Sequence, residues 1–223
     1  TGLYHAGRTS DVRDVLRQAA QMPEARTEDG ATRLAVMGYS LGGNVTLKLM
    51  GEDFEGLPVC AGVAVSAPLD LAVGAEHLHH MWFGFYERFI MSGLREDTSR
   101  PGPASGLTPQ EAELIASAKT VVEFDNAITG PRNGWADAAE YYAVNSSAQY
   151  LPTIEQPTLV IHSVDDPMIP DGPYRAIDWA SVEASSPVRR LITPHGGHVG
   201  FHQRGRFYPW YVGQAVRFFR SLR

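Results

Sequence analysis

Four short apolar runs constrain this chain most: Leu34-Ala35-Val36-Met37, Val59 to Val65, Thr158-Leu159-Val160-Ile161 and, more weakly, Arg190-Leu191-Ile192. They are too short for helices and do not alternate apolar with polar, so they read as strands covered on both faces. Helical patterns lie between and around them. Val12, Val15, Leu16 and Ala19 recur at helical spacing over Asp11 to Ala20, where Ser10 is placed to cap the first turn. Leu41 to Met50 reads as a second helix, and Tyr208 to Leu222 closes the chain as an aromatic-rich one. Strands alternating with helices predict an α/β fold: a mostly parallel sheet with helices on both faces and its ligand site at the carboxyl ends of the strands.

The predicted organisation is a single domain over residues 1–223 with a lid-like insertion at about 70–155. The second and third strands stand about ninety residues apart, far more than a crossover connection needs. That insertion carries Trp82, Phe83, Phe85, Tyr86 and Phe89, which either line an acyl pocket or pack as core.

The residue that carries chemistry stands at the end of the first apolar run. Gly38-Tyr39-Ser40-Leu41-Gly42 matches G-x-S-x-G, a sharp strand-to-helix turn that leaves the serine exposed. Chance alone yields about 0.1 copies in a chain this long, so context decides. Here an apolar strand leads in, Gly43 follows, and a helix starts at once, aiming its N-terminal dipole at the serine. A serine hydroxyl needs an imidazole to take its proton, and the imidazole needs a carboxylate to fix its tautomer. Both types follow in the required order. Asp165-Asp166-Pro167 lies past the third strand and His195-Gly196-Gly197-His198 past the fourth. Asp166 is favoured over Asp165 because Pro167 holds it extended in a tight loop. His198 is favoured over His195 because two preceding glycines let the loop fold back over Ser40. The assignment is therefore Ser40 as nucleophile, Asp166 as acid and His198 as base, with the Leu41 backbone N–H as oxyanion donor and Tyr39 beside the substrate.

Other classes fit less well. A net charge of −6 and a pI near 5.7 argue against non-specific binding to nucleic acid. Seven arginines and no acid lie in residues 189–223; they read as a solvated helix face ahead of a site for lipid phosphates or an anionic membrane surface. No apolar run approaches the roughly 18 residues of a membrane span, and one cysteine, Cys60, cannot form an internal disulfide, which suits a cytoplasmic protein. His77, His79 and His80 lack the spacing of a metal site, and no metal or cofactor is expected.

With these residues in place, the chain resembles the YheT-like branch of α/β-hydrolases. Its likeness runs through Tyr4-His5-Ala6-Gly7-Arg8-Thr9-Ser10-Asp11, Gly38 to Asn44, Ser66-Ala67-Pro68-Leu69-Asp70-Leu71, Phe124-Asp125-Asn126, Tyr141-Tyr142, Leu151-Pro152, Asp165-Asp166-Pro167 and Gly196 to Phe201. The resemblance implies the α/β-hydrolase fold and a lipase-like or esterase activity on small-molecule esters or lipids, with Ser40, Asp166 and His198 at the family's catalytic positions. It also implies earlier strands and a His-Gly loop that lends a second oxyanion donor. The His-Gly pair here, His195-Gly196, stands elsewhere, so the chain is expected to be a fragment of a longer protein, with a partner as another source of the early strands. Acyl transfer with the same triad, and ligand binding without turnover, are the alternatives.

Overall fold

A computed structural model describes residues 5–99 and 106–222. Contacts divide the chain into two compact units, one of Ala6–Leu69 with Ser146–Arg223 and the other of Thr1–His5 with Asp70–Asn145.

In the first unit, α1 (Thr9–Ala19) precedes β1 (Leu34–Tyr39), α2 (Leu41–Gly51) and β2 (Val59–Val65). Helix α1 starts one residue before Ser10 and takes Arg8 as its N-cap. Ser10 does not cap it, because its hydroxyl bonds Asp11 instead. Arg13 anchors this helix by donating to Glu52 (2.9 Å) and to the Asp53 carbonyl (2.8 Å) beyond the end of α2.

The second unit is helical. It holds α3 (Leu71–His80), α4 (Phe85–Ser99), α5 (Pro109–Ser117), α6 (Val121–Phe124), α7 (Gly130–Arg132) and α8 (Ala138–Asn145), with one π-helical turn over Asp125–Thr129. Local chemistry starts these helices: Asp70 caps α3 by accepting from the Val73 N–H, and Thr108 with Glu111 forms a reciprocal capping box on α5. Met91, Ile115, Phe124 and Ile128 are the buried centre of the unit. Beside them Asp125 accepts a hydrogen bond from the Tyr142 hydroxyl at 2.7 Å. Burial raises the Asp125 pKa, and this bond only partly opposes it.

The first unit resumes at Ser146. A 3₁₀ segment (Ser147–Thr153) leads to β3 (Thr158–Ser163), α9 (Gly172–Ala176), α10 (Trp179–Ser185), β4 (Val188–Thr193) and α11 (Trp210–Arg220). Leu151 and Ile154 of this returning segment pack into the core beside the sheet.

The four strands among the described residues are parallel, in the order β1-β2-β3-β4. Their side chains sort by the period of two. Val63 and Val65 of β2 with Leu159 and Ile161 of β3 join Tyr211 and Ala215 of α11 on one face. Ala64 and Val160 point the other way, into a larger cluster with Leu47 and Leu49 of α2 and Trp179 and Val182 of α10. Helices therefore cover both faces. The central strands are buried except at the half-buried Cys60, whereas the edge strand β4 exposes Arg189 and Arg190. Among the described residues, no helix is long and apolar enough to cross a membrane.

Candidate active site

Ser40 is the junction between β1 and α2, held at φ 50°, ψ −125°. A non-glycine residue there carries strain on the order of 1–3 kcal/mol, so its surroundings have to impose it. They do so by close packing. The Ser40 N–H donates to the Val65 carbonyl at 2.8 Å, extending the sheet by one bond. A Cβ on Gly38 would lie 2.1 Å from the Gly42 carbonyl oxygen and 2.3 Å from Thr46 Oγ1, and one on Gly43 would lie 2.9 Å from the Ala67 Cβ. Only glycine admits so tight an elbow. Leu41 is the first residue of α2, where a backbone N–H has no partner inside the helix and remains available to an anion.

Asp166 and His198 reach Ser40 from strands two and three places away. At about 4.8 Å per strand, β4 lies roughly 14 Å from β1, so the loop after β4 has to double back across the sheet's carboxyl end. Left-handed residues turn it: Gly197 (φ 62°), Val199 (φ 48°) and Phe201 (φ 40°). His198 Nε2 then sits 3.0 Å from Ser40 Oγ, and its Nδ1 lies 2.9 and 3.1 Å from the two Asp166 oxygens. A carboxylate only accepts, so Nδ1 carries the proton and Nε2 is free to take one from Ser40.

Asp166 is buried, and burial pushes its pKa upward. The bond from His198 and the N–H groups of Ile169 (3.0 Å) and Met168 (2.8 Å) outweigh that and hold the carboxyl below its ordinary value. The neighbouring pair takes a different task. Asp165 Oδ1 accepts the N–H groups of Gly196 (2.8 Å) and Gly197 (2.9 Å), and its Oδ2 accepts from His195 Nδ1 (3.1 Å). These bonds, the Gly197 N–H foremost, pull its pKa down to about 2. Together with Ser163 Oγ, which donates to the Gly197 carbonyl (2.8 Å), Asp165 ties the acid-bearing loop to the base-bearing loop.

Ser40, Asp166 and His198, selected from the sequence, are thus brought together; Asp165 and His195 are given to each other. Tyr39 is partly exposed, its ring 5.5 Å from that of Tyr211 and its hydroxyl on Met37 Sδ. The aromatic run of the second unit is largely exposed. Trp82 and Phe83 adopt left-handed backbone angles ahead of Gly84, which turns them outward to 67% and 99% exposure, while Tyr86 is half-buried near Phe89. His79 and His80 pair with Glu87 and Glu76, and no set of three metal-ligating side chains converges among the described residues.

Sequence reasoning passed over two residues. Asn44 is fully buried and staples the start of the unit to its return: Nδ2 donates to the Ala6 carbonyl (2.9 Å) and Oδ1 accepts the Ser147 N–H (2.9 Å). Its place right after the serine motif was the available signal. The other is His162, whose ring stacks on Tyr174 beside Asp166.

A strained serine at a strand-to-helix elbow, with an aspartate and a histidine brought to it from loops after later parallel strands, defines a class. The chain belongs to the alpha/beta hydrolase fold family, whose pattern matches residues 5–204. Among its relatives, it is 35% identical to YheT of Escherichia coli, covering 89% of this chain and 56% of that protein. It is 28% identical to a monoacylglycerol lipase of Saccharomyces cerevisiae, covering 98% of this chain and 48% of the relative. The Pyrococcus furiosus esterase Pf2001 shares the fold at a TM-score of 0.55 and 15% identity, covering 99% of this chain and 65% of the esterase. The chain spans about half the length of these curated relatives.

Proposed function

We propose that the protein carrying this chain hydrolyses carboxylic esters with short or medium acyl chains, or lipid-like ones, through an acyl-enzyme. The continuous hydrogen-bonded line from Ser40 through His198 to Asp166, at 3.0 and 2.9 Å, carries the reading. Ser40 Oγ attacks the ester carbonyl while His198 Nε2 takes its proton, and Asp166 holds the resulting imidazolium. The Leu41 N–H donates to the oxyanion. Collapse of the tetrahedral intermediate breaks the bond to the alcohol, which leaves with the proton from His198. Water, deprotonated by the same nitrogen, then releases the acid and restores Ser40. The yeast lipase relative supports a lipid-like ester as substrate.

The test is p-nitrophenyl ester hydrolysis together with fluorophosphonate labelling. Wild type should turn over and label at Ser40, and Ser40→Ala should do neither. Turnover retained in that variant refutes the nucleophile assignment, and failure of the wild type to label refutes the activated serine.

A further inference from the structure

A second imidazole lies beside the Asp166 carboxylate. His162, on β3, is completely buried, and among the described residues neither ring nitrogen has a hydrogen-bond partner. Its ring lies flat on Tyr174, with centroids 3.8 Å apart and planes within 3°. Tyr174 is itself pinned, its hydroxyl donating to the Ala67 carbonyl at 2.7 Å and its ring stacking on Trp179. The imidazole is therefore fixed in its plane from one side. Its Nδ1 stands 3.9 Å from Asp166 Oδ2, the same oxygen that accepts the shorter bond from His198.

Apolar residues fill such positions in a strand core at no polar cost. A buried imidazole with both nitrogens unpaired carries an uncompensated desolvation penalty, so its presence calls for a use. The ionisable groups facing it are Asp166 on its own loop, Asp171 just before α9, Tyr174 on α9 and His198 on the loop after β4. Burial pushes the His162 pKa down to about 4 against the pull of the two carboxylates, so the ring is neutral during turnover at neutral pH. A neutral ring still offers one N–H, and Asp166 Oδ2 is within a short adjustment of it. Hydrogen bonds that serve turnover are commonly long at rest and tighten as charge develops.

We infer that His162 is a positioning residue that acts through Asp166, its Nδ1–H steadying the carboxylate while His198 holds the proton of Ser40. This inference rests on the acyl-enzyme reading for its role in turnover, but its coupling to Asp166 can be measured without turnover. Removing the second donor leaves Asp166 more basic, so the carboxylate holds the His198 imidazolium more tightly. Loss of the group thus has a directional signature that loss of packing lacks.

His162→Phe keeps the stack on Tyr174 and deletes both nitrogens, whereas His162→Asn retains a donor near the position of Nδ1. In the Phe variant, kcat for p-nitrophenyl esters should fall about tenfold with KM unchanged. The acid limb of its kcat/KM profile should move up by about half a pH unit. The downfield proton resonance of His198 Nδ1–H should move further downfield. The Asn variant should restore both limb and resonance toward wild type. In wild type alone, that resonance should shift a second time as His162 takes a proton on acidification, a measurement that needs no folded variant. A resonance and an acid limb indifferent to His162, or a wild-type resonance without the second shift, overturn the inference. Turnover surviving Ser40→Ala sinks the acyl-enzyme reading instead and leaves the resonance to decide on His162.

Discussion

Gly38→Ala tests whether the serine elbow is packed as tightly as its geometry requires. The added Cβ would sit 2.1 Å from the Gly42 carbonyl oxygen, 2.3 Å from Thr46 Oγ1 and 2.5 Å from the Gly42 carbonyl carbon. Carbon and oxygen rest at about 3.3 Å even in an attractive C–H···O contact, so the carbonyl has to retreat by roughly 1.2 Å. Thr46 cannot yield alone, because its hydroxyl bonds that same carbonyl at 2.8 Å. Overpacking costs about 1–3 kcal/mol in ordinary cores, and a backbone collision belongs at the upper end. At about 2–4 °C per kcal/mol for a chain of this size, Tm should fall by about 6–12 °C. A 1 Å shift of Ser40 should also slow its fluorophosphonate labelling about a hundredfold. Gly42→Ala is the control, since nothing lies within 4 Å of its Cβ and it stands in a helix that alanine favours. Thermal unfolding of the two variants side by side decides the matter. A Gly38→Ala protein melting within about 2 °C of wild type, or no lower than Gly42→Ala, refutes the steric argument.

Asn44→Ala removes both buried bonds of the staple to Ala6 and Ser147 and should lower stability by about 2 kcal/mol, seen as a Tm lower by about 4–8 °C. Tyr142→Phe strips the bond from the buried Asp125 carboxyl and should also lower Tm. Because the Asp125 pKa is raised in the folded state, protonation relieves the site, so the loss should be greater at pH 8 than near pH 5. Asp165→Asn should lower kcat by loosening the base loop, and it should change acid stability. The Asp165 contribution is present above the ordinary aspartate value of 3.8 and lost as pH falls toward about 2, so the variant's Tm should decline less steeply across that window than that of wild type.

Much of this arrangement is legible in the residues, and the exceptions have physical causes. The central strands β2 and β3 show themselves because burial on both faces leaves continuous apolar runs. The edge strand β4 is blurred because its open side tolerates Arg189 and Arg190. Ser40 could be named outright since one elbow needs glycines at fixed offsets. Choosing Asp166 and His198 over their neighbours rested on loop conformation, and the structure supplies the complement: Asp165 faces two glycine amides that no spacing rule reveals. For Trp82 and Phe83, composition signals apolar area and says nothing of the left-handed backbone that leaves both side chains exposed. His162 was hidden for a related reason. In an apolar run one histidine looks like filler until Asp166 is seen 3.9 Å away.

The acid and base loops leave adjacent strands, and Asp166 and His198 are separated by only 32 residues, whereas Ser40 and His198 are separated by 158. Closing the longer loop costs about 1.4 kcal/mol more in chain entropy, so the two halves of the triad need not assemble together during folding. The clamp of Asp165 on Gly196 and Gly197 joins the loops after β3 and β4 through contacts that do not involve Ser40. Ser40, strained and bonded to Val65 of β2, depends instead on the β1–β2 side of the sheet. Reactivity at Ser40 should accordingly appear late in refolding, after sheet structure has formed, making the labelled serine a reporter of the last step to the native state.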